Sequence, residues 1–205
     1  MVRTKISADP AQQPPGANYK LLIGSIVPRP IGFISTLSAA GVANLAPFSF
    51  FNAICGEPPT VGFSVTNRTP AKDTIRNVRQ SGEFVANIVT EEIAEKMNLC
   101  SGDYAPGVSE FDVSGLTPQP SEVVKPPCVT EAPVNMECRL VQIVDVGSPA
   151  GGASLVIGEV VRFHFDASMV ENYRVDPAKL RAIGRMGGNG YVRTRDYFEM
   201  IRPRV

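Results

Sequence analysis

Three groups of side chains in this sequence can do chemistry. The first lies in NRTPAKDTIRN (67–77). Arg68 precedes an expected helix, Lys72 falls in its first turn, and Thr74 adds a hydroxyl. The free backbone N–H groups of a first turn attract anions. Charge-assisted bonds of this kind contribute about 1.5–3 kcal/mol each. The set therefore suits a phosphate. Asp73 cannot welcome a phosphate directly and is read as fixing Lys72 or capping N–H groups. The plain alternative is an ordinary solvated first turn. The second group, Ser35, Thr36, Asn44, Ala46, Ser49, Phe50 and Asn52, mixes short polar and small side chains. Its hydroxyls are not nucleophile candidates: no histidine–acid pair can be placed beside them, and no G-x-S-x-G elbow is present. The third group is Arg185 and Tyr191, among Gly184, Gly187, Gly188 and Gly190, where the backbone is free to take special angles or pack closely. Arg185 can meet a phosphate or a carboxylate; the alternative is that both residues tie down the C-terminal loop.

His164 is the only histidine. It is a weak catalytic candidate, able to move a proton near neutral pH, and a structural hydrogen bond is the competing account. Cys55, Cys100, Cys128 and Cys138 form no C-x-x-C pair. They suit neither zinc nor a disulfide framework, so no metal is expected.

Elements must hold these groups. Residues 31–37 (IGFISTL) read as a strand, with Ile31, Phe33, Ser35 and Leu37 on one face and Gly32, Ile34 and Thr36 on the other. Ala39-Ala40-Gly41 turns the chain, and residues 42–51 return, with an edge or bulge expected at Pro47. Residues 60–66 form a third strand. Thr69 is read as the cap of the first helix and Pro70 as its first residue, Ile75 and Val78 as its inward stripe, and Gly82 as its end. A fourth strand covers 84–89. A second helix runs from about 91 to 100, with Thr90 as cap candidate and Ile93, Met97 and Cys100 on one face. The Gly/Pro/Ser-rich stretch 101–135 is expected to be a long covering loop with short strands. Residues 137–146 and 154–166 make a long antiparallel pair. There Leu155, Ile157, Val161, Phe163 and Phe165 share an apolar face, and His164 lies with Arg162 on the other. Asp176-Pro177 starts a helix or turn. A polar arm, 1–18, precedes one domain, 19–205.

Composition excludes several classes. The 205 residues carry 20 basic and 20 acidic side chains, a formal net charge of zero, which does not suit a nucleic-acid binder. No apolar run is long enough for a transmembrane helix, and the first residues have no apolar h-region of a secretory signal. With the reduced-cysteine reading, this points to the cytoplasm. Strands dominate without a βαβ rhythm, so a strand-rich barrel with peripheral helices is expected rather than a doubly wound sheet.

RPIGFISTLSAAGVANLAPFSFFNAICGEPP (29–59), NRTPAKDTIRN (67–77), EFDVSGLTP (110–118), APVNMECRL (132–140) and GRMGGNGYVRTRDYFEMIRP (184–203) together resemble the flavin reductase-like, FMN-binding split-barrel family, in its cytoplasmic branch. The resemblance covers about 20–203. It implies a mainly β fold, a six-stranded antiparallel Greek-key split barrel with peripheral helices. It also implies a homodimer with FMN near the interface. Under it, Arg68, Lys72 and Thr74 hold the phosphate; Ser35, Thr36, Asn44, Ala46, Ser49, Phe50 and Asn52 line the flavin; Arg185 and Tyr191 approach it. The implied activity is hydride transfer from NAD(P)H to flavin, with a flavin-dependent monooxygenase as a possible partner. The alternatives are a flavoprotein acting on another small substrate and a non-catalytic electron carrier.

Overall fold

The computed structural model describes residues 3–105 and 107–204. Its centre is a seven-stranded antiparallel sheet of β1 (Gly32–Leu37), β2 (Ala43–Phe48), β3 (Phe51–Gly56), β4 (Pro59–Thr66), β5 (Glu83–Ile88), β8 (Val134–Val146) and β9 (Ala153–Phe165). The spatial order is β2-β1-β5-β8-β9-β4-β3. The two edge strands, β2 and β3, are separated in sequence only by Ser49 and Phe50. A sheet whose opposite edges are that close in the chain must curl until they meet, which makes it a barrel. At the bend the Ser64 amide donates to the Phe50 carbonyl at 2.9 Å, continuing the β3–β4 ladder. The expected second strand therefore runs on past residue 51 and turns sharply. Counted as one bent strand, β2–β3 gives the six expected; counted apart, seven. Pro47, which has no N–H to offer, does lie on an edge strand.

The barrel interior is filled by Phe48, Phe63 and Phe84, with ring centroids 5.1 and 5.2 Å apart in sequence along the stack, and by Ile34, Val65, Val156 and Val160. Helix α2 (Asp73–Ser81) closes one side with Ile75 and Val78 and ends, as expected, at a left-handed Gly82. It does not start at Pro70. Lys72, still extended at ψ 144°, is its N-cap, and 67–72 bend outside the helix. A second core packs on the outer face of β1–β2 around Phe33, Leu45, Ile93, Met97, Cys100 and Phe111. This explains why the first strand is apolar on both faces.

Around this body lie α1 (Ala17–Ser25), which the sequence reading assigned partly to the arm, α3 (Ala94–Leu99), α4 (Glu110–Ser114) and the short pair β6 (Pro118–Gln119) and β7 (Cys128–Val129). The expected second helix is split into a 3-10 turn, Glu91–Ile93, followed by α3. The Thr90 hydroxyl does not cap it; it is buried without a partner. The Glu91 carboxylate turns instead to Arg181, Arg193 and Arg195, and the bond from Arg195 leads in drawing its pKa down to about 2. The C-terminal part adds β10 (Val170–Glu171), β11 (Arg174–Val175), α5 (Pro177–Leu180), β12 (Ile183–Arg185) and β13 (Tyr191–Arg193); Asp176 caps α5. Among the described residues no helix is long and apolar enough to cross a membrane.

The β8–β9 ribbon departs from the expected polarity. Ser154, Val156, Gly158 and Val160 face the core, while Phe163 and Phe165 stack on each other at 5.7 Å and stay 43% and 41% exposed. Gly158 explains the choice: a Cβ there would lie 2.5 Å from the buried Phe84 ring, so the barrel is built around its missing side chain. The β8–β9 register shifts between Val160 and Arg162, so this alternation stops there, and His164 lies with Arg162 toward 121–128 rather than toward the barrel core.

Candidate functional site

The helix-start group converges as its spacing suggests. Arg68 and Lys72 line one cavity of ≈ 310 Å³ with Thr66, Asn67, Arg79 and Ser154. Lys72 is half-buried, its ammonium 5.8 Å from the centre of the Phe48 ring. Burial, and then the positive charge of Arg68, push its pKa below the ordinary lysine value; Asp103 opposes them. Arg68 and Arg79 are held by Asp103 at 2.5 Å and Asp145 at 2.8 Å. Lys72 has no carboxylate partner among the described residues, and Asp73 pairs with Arg76 rather than with it. A cation desolvated beside another cation is an unfavourable arrangement that an anion would relieve.

Behind this end, the Asn44 amide donates to the buried Thr74 hydroxyl at 3.1 Å, and the Asn77 amide to the buried Thr36 hydroxyl at 3.0 Å. These bonds pin α2 to the β1–β2 hairpin. Ser35, on the opposite face, donates to the Pro127 carbonyl. Thr36 and Ser35 are fully buried, so both hydroxyls serve packing, and neither is open to a ligand in this arrangement. Ala46 packs against the barrel core.

The bend at Ser49–Phe50 borders two further cavities. One, of ≈ 430 Å³, is an apolar groove with Phe50, Asn52, Ile54, Gly62 and Leu155. Phe50 is 43% exposed there. The other, of ≈ 200 Å³, brings Ser49 together with Arg185 and Tyr191. The Arg185 guanidinium lies 4.4 Å from the centre of the Tyr191 ring and donates to the Gly188 carbonyl at 2.6 Å. Tyr191 donates to the Asn98 amide oxygen at 3.3 Å. The structure thus separates the expected residues into a cationic end, a packing layer and a bend flanked by two cavities.

His164 lines a different cavity, of ≈ 230 Å³. Its Nε2 is 2.6 Å from the carboxylate of Glu137, which is fully buried. Glu137 also accepts the backbone N–H groups of Glu122, Val123 and Val124 at 2.8, 2.6 and 2.9 Å. Burial alone would raise its pKa; the His164 bond and the three amides outweigh that and hold it below the usual value. Cys128 completes a group whose possible ligand atoms lie within 4.8 Å of one another. Glu137 already receives four donors, and burial pushes the Cys128 thiol upward. The group therefore works as a lock fastening 121–128 to the barrel.

Sequence reasoning missed Glu137, Glu110 and Arg29. Glu110, buried, accepts the outward-facing Leu45 N–H of edge strand β2 at 2.9 Å; burial leads in raising its pKa. Arg29 is 5% exposed and donates to the carbonyls of Ile23, Ile26 and Met186 at 2.6, 2.8 and 3.0 Å and to Ser49 Oγ at 3.4 Å. One signal was available for it, a lone charge between two prolines in an otherwise apolar stretch.

Residues 23–180 match the family described as flavin reductase like domain. A protein of Aquifex aeolicus (strain VF5), without an assigned activity, is 44% identical over 178 residues, 85% of this chain and 89% of that protein. The crystal structure of nitrilotriacetate monooxygenase component B from Bacillus cereus superposes with a TM-score of 0.94 at 37% identity, covering 97% of this chain and 100% of that one. That of Pseudomonas fluorescens 2-nitrobenzoate 2-nitroreductase NbaA gives 0.88 at 32% identity, covering 97% and 96%.

Proposed function

Since this chain belongs to the flavin reductase-like family, we propose that it binds FMN and passes a hydride from NAD(P)H to it. The observation that carries this reading is the half-buried Lys72 beside Arg68, without a carboxylate of its own. In it, Arg68 and Lys72 take the phosphate, and the buried Thr74 hydroxyl acts behind them, fastening α2 to Asn44. The Ser49–Phe50 bend, with Asn52, Ala46 and the backbone of Asn44, borders the ring. Phe50 lies opposite Ser64 on β4, and that strand leads in two further residues to Thr66 at the cationic end. Two cavities so placed match a ligand with a phosphate at one end and a flat ring at the other. Ser35 and Thr36 act behind them, holding the hairpin to 127 and to α2.

Bound flavin would supply two-electron redox chemistry. The chain's part is to fix the phosphate electrostatically, hold the rings in register and keep one ring face open. Such a transfer needs no protein nucleophile, and none of the groove residues is asked to be one. His164 is committed to Glu137 and is assigned no proton transfer here.

The exposed Phe163–Phe165 stack supports a homodimer that covers it. The likeness to a monooxygenase component B of Bacillus cereus supports a flavin-dependent monooxygenase as the recipient of reduced flavin. Four free cysteines are compatible with a cytoplasmic setting.

The test is an anaerobic absorbance titration of FMN-reconstituted protein with NADH and then NADPH. Rapid bleaching of the flavin band by either is expected and names the donor. Bleaching by dithionite but by neither nicotinamide refutes the reductase assignment, and would favour an enzyme with another substrate or an electron carrier. Failure to bind flavin at all would remove the whole reading.

A further inference from the structure

The small cavity beside the Ser49–Phe50 bend contains more positive charge than its neighbours balance. Arg29 and Arg185 both line it, brought together because their backbones pair across an antiparallel bridge, each amide donating to the other's carbonyl at 2.9 and 2.8 Å. Guanidinium groups stay charged at any pH the protein meets. Neither forms an ion pair among the described residues, although nine such contacts occur elsewhere in the molecule. No acidic residue lines the cavity.

The donors are not all used. Arg29 spends four of its N–H groups on three carbonyls and Ser49, two of those carbonyls belonging to the last turn of α1 and its cap. It is an anchor whose field extends into the cavity, with one N–H left. Arg185 makes a single hydrogen bond, from Nη2 to Gly188, while its flat face rests on Tyr191. That bond uses one Nη2 hydrogen, so of the two paired-donor edges of the guanidinium, Nε–Nη2 and Nη1–Nη2, one is left whole, and the stacking fixes the plane in which it lies. Asn98 has its amide oxygen turned to the Tyr191 hydroxyl, which leaves its NH2 group to donate. Ile23, Ile31, Pro47 and Met97 give the cavity one apolar wall, while Ser49, Ser101 and Tyr19 add hydroxyls around it.

A cavity with one planar, bidentate cationic edge and an apolar wall selects a compact anion with an apolar body. At ≈ 200 Å³ it lies below the range of about 300–1,000 Å³ usual for drug-sized ligands, so a whole nucleotide does not suit it. We propose that this cavity is a binding site for a small organic carboxylate, with Arg185 as its anchor, Asn98 as a second donor and Arg29 as a buried source of positive field. The site is separate from the Arg68–Lys72 end and does not depend on flavin occupying that end. Its place beside the bend would put such a carboxylate next to the ring region of the proposed flavin groove.

Calorimetric titration of flavin-free protein with benzoate tests the assignment, with benzamide as the neutral analogue. Saturable benzoate binding is expected, with benzamide at least about tenfold weaker, as loss of a charge-assisted bond implies. Arg185→Gln should weaken benzoate by about tenfold or more. Asn98→Asp, at an exposed position that tolerates the change, brings a like charge to the ligand and should do the same even if Arg185→Gln folds poorly. Lys72→Gln should leave benzoate affinity unchanged, whatever it does to FMN. The proposal is overturned if folded wild-type protein shows no saturable benzoate binding, if benzamide binds as tightly, if Asn98→Asp has no effect, or if Lys72→Gln abolishes the signal. None of these outcomes depends on whether nicotinamides reduce the flavin.

Discussion

Replacing Lys72 with Gln should move two quantities in different directions. In the unliganded protein the ammonium is desolvated and repelled by Arg68, both of which act against its charged form. Its removal relieves those penalties and forfeits only the contact with Phe48, about 0.5–2 kcal/mol for a partly desolvated cation–π pair. Unliganded stability should therefore change by less than about 1 kcal/mol, with no loss of fold. Flavin binding loses a charge-assisted bond of about 1.5–3 kcal/mol, and at about 1.4 kcal/mol per factor of ten the FMN Kd should rise by about 10–150-fold. The pH dependence separates the two effects further. A lysine with a depressed folded-state pKa binds fewer protons than its unfolded counterpart over the window between that pKa and 10.5, so the unliganded protein gains stability as pH rises through the window. Phosphate binding favours the charged form, so FMN affinity should fall as pH climbs through the same window. In Lys72→Gln both slopes should flatten. Fluorescence titration with FMN across alkaline pH, paired with urea denaturation, reads all of this. A Kd change under about threefold, or an FMN affinity whose alkaline pH slope survives the substitution, would refute the placement of the phosphate.

Other consequences are more local. Asp103→Asn frees Arg68 from an exposed pair worth about 0.2–1 kcal/mol and should tighten FMN binding by up to about fivefold, read in the same titration; weaker binding would count against Arg68 as a phosphate ligand. Glu137→Gln breaks a buried carboxylate network and should cost about 3 kcal/mol in urea denaturation at neutral pH. Because the folded pKa of Glu137 lies below 4.5, its stabilisation is present above the unfolded value and is lost as pH falls through the folded one, so the wild-type–variant gap should narrow only in acid. Gly158→Ala places a methyl against Phe84 and should cost about 1–3 kcal/mol by the same assay, without changing FMN affinity in the protein that remains folded. Cys55 alone among the four cysteines is exposed, and burial pushes Cys100 up to about 11, so a thiol reagent on native protein should titrate one group quickly and the rest only after denaturation.

The parts of the fold legible in the sequence were those with a local cause. The β1–β2 hairpin follows from two extended runs joined by a turn at Gly41, whose φ is +79°. The β8–β9 pair follows from two long β-rich runs around a Gly/Pro turn, and Gly82 ends α2 by adopting the left-handed conformation. What failed had a distant cause. Nothing near Thr69 announces that the helix will start only after Lys72. The polarity of β9 cannot be read from β9: its odd positions are the more apolar, yet Phe84, far away in sequence, needs the space left by Gly158, and this turns the even face inward. The candidate site divides the same way. Arg68 and Lys72 are close in sequence and meet in space. Glu137 and His164 meet only across the β8–β9 register, and Arg29 and Arg185 only across a bridge between distant segments.

The end of the ribbon also links fold to assembly. Beyond the register shift at Val160–Arg162, Phe163 and Phe165 stack on each other and stay about two-fifths exposed. Apolar surface of that kind is costly to leave in water. A second copy covering it would complete what one chain cannot bury, so a charge placed there should act on association before it acts on folding. Phe163→Glu should accordingly give a folded monomer in size-exclusion mass measurement where the wild type is a dimer. A wild-type protein that is monomeric at micromolar concentration, or a variant that unfolds while still a dimer, would show that the exposed stack is not an interface.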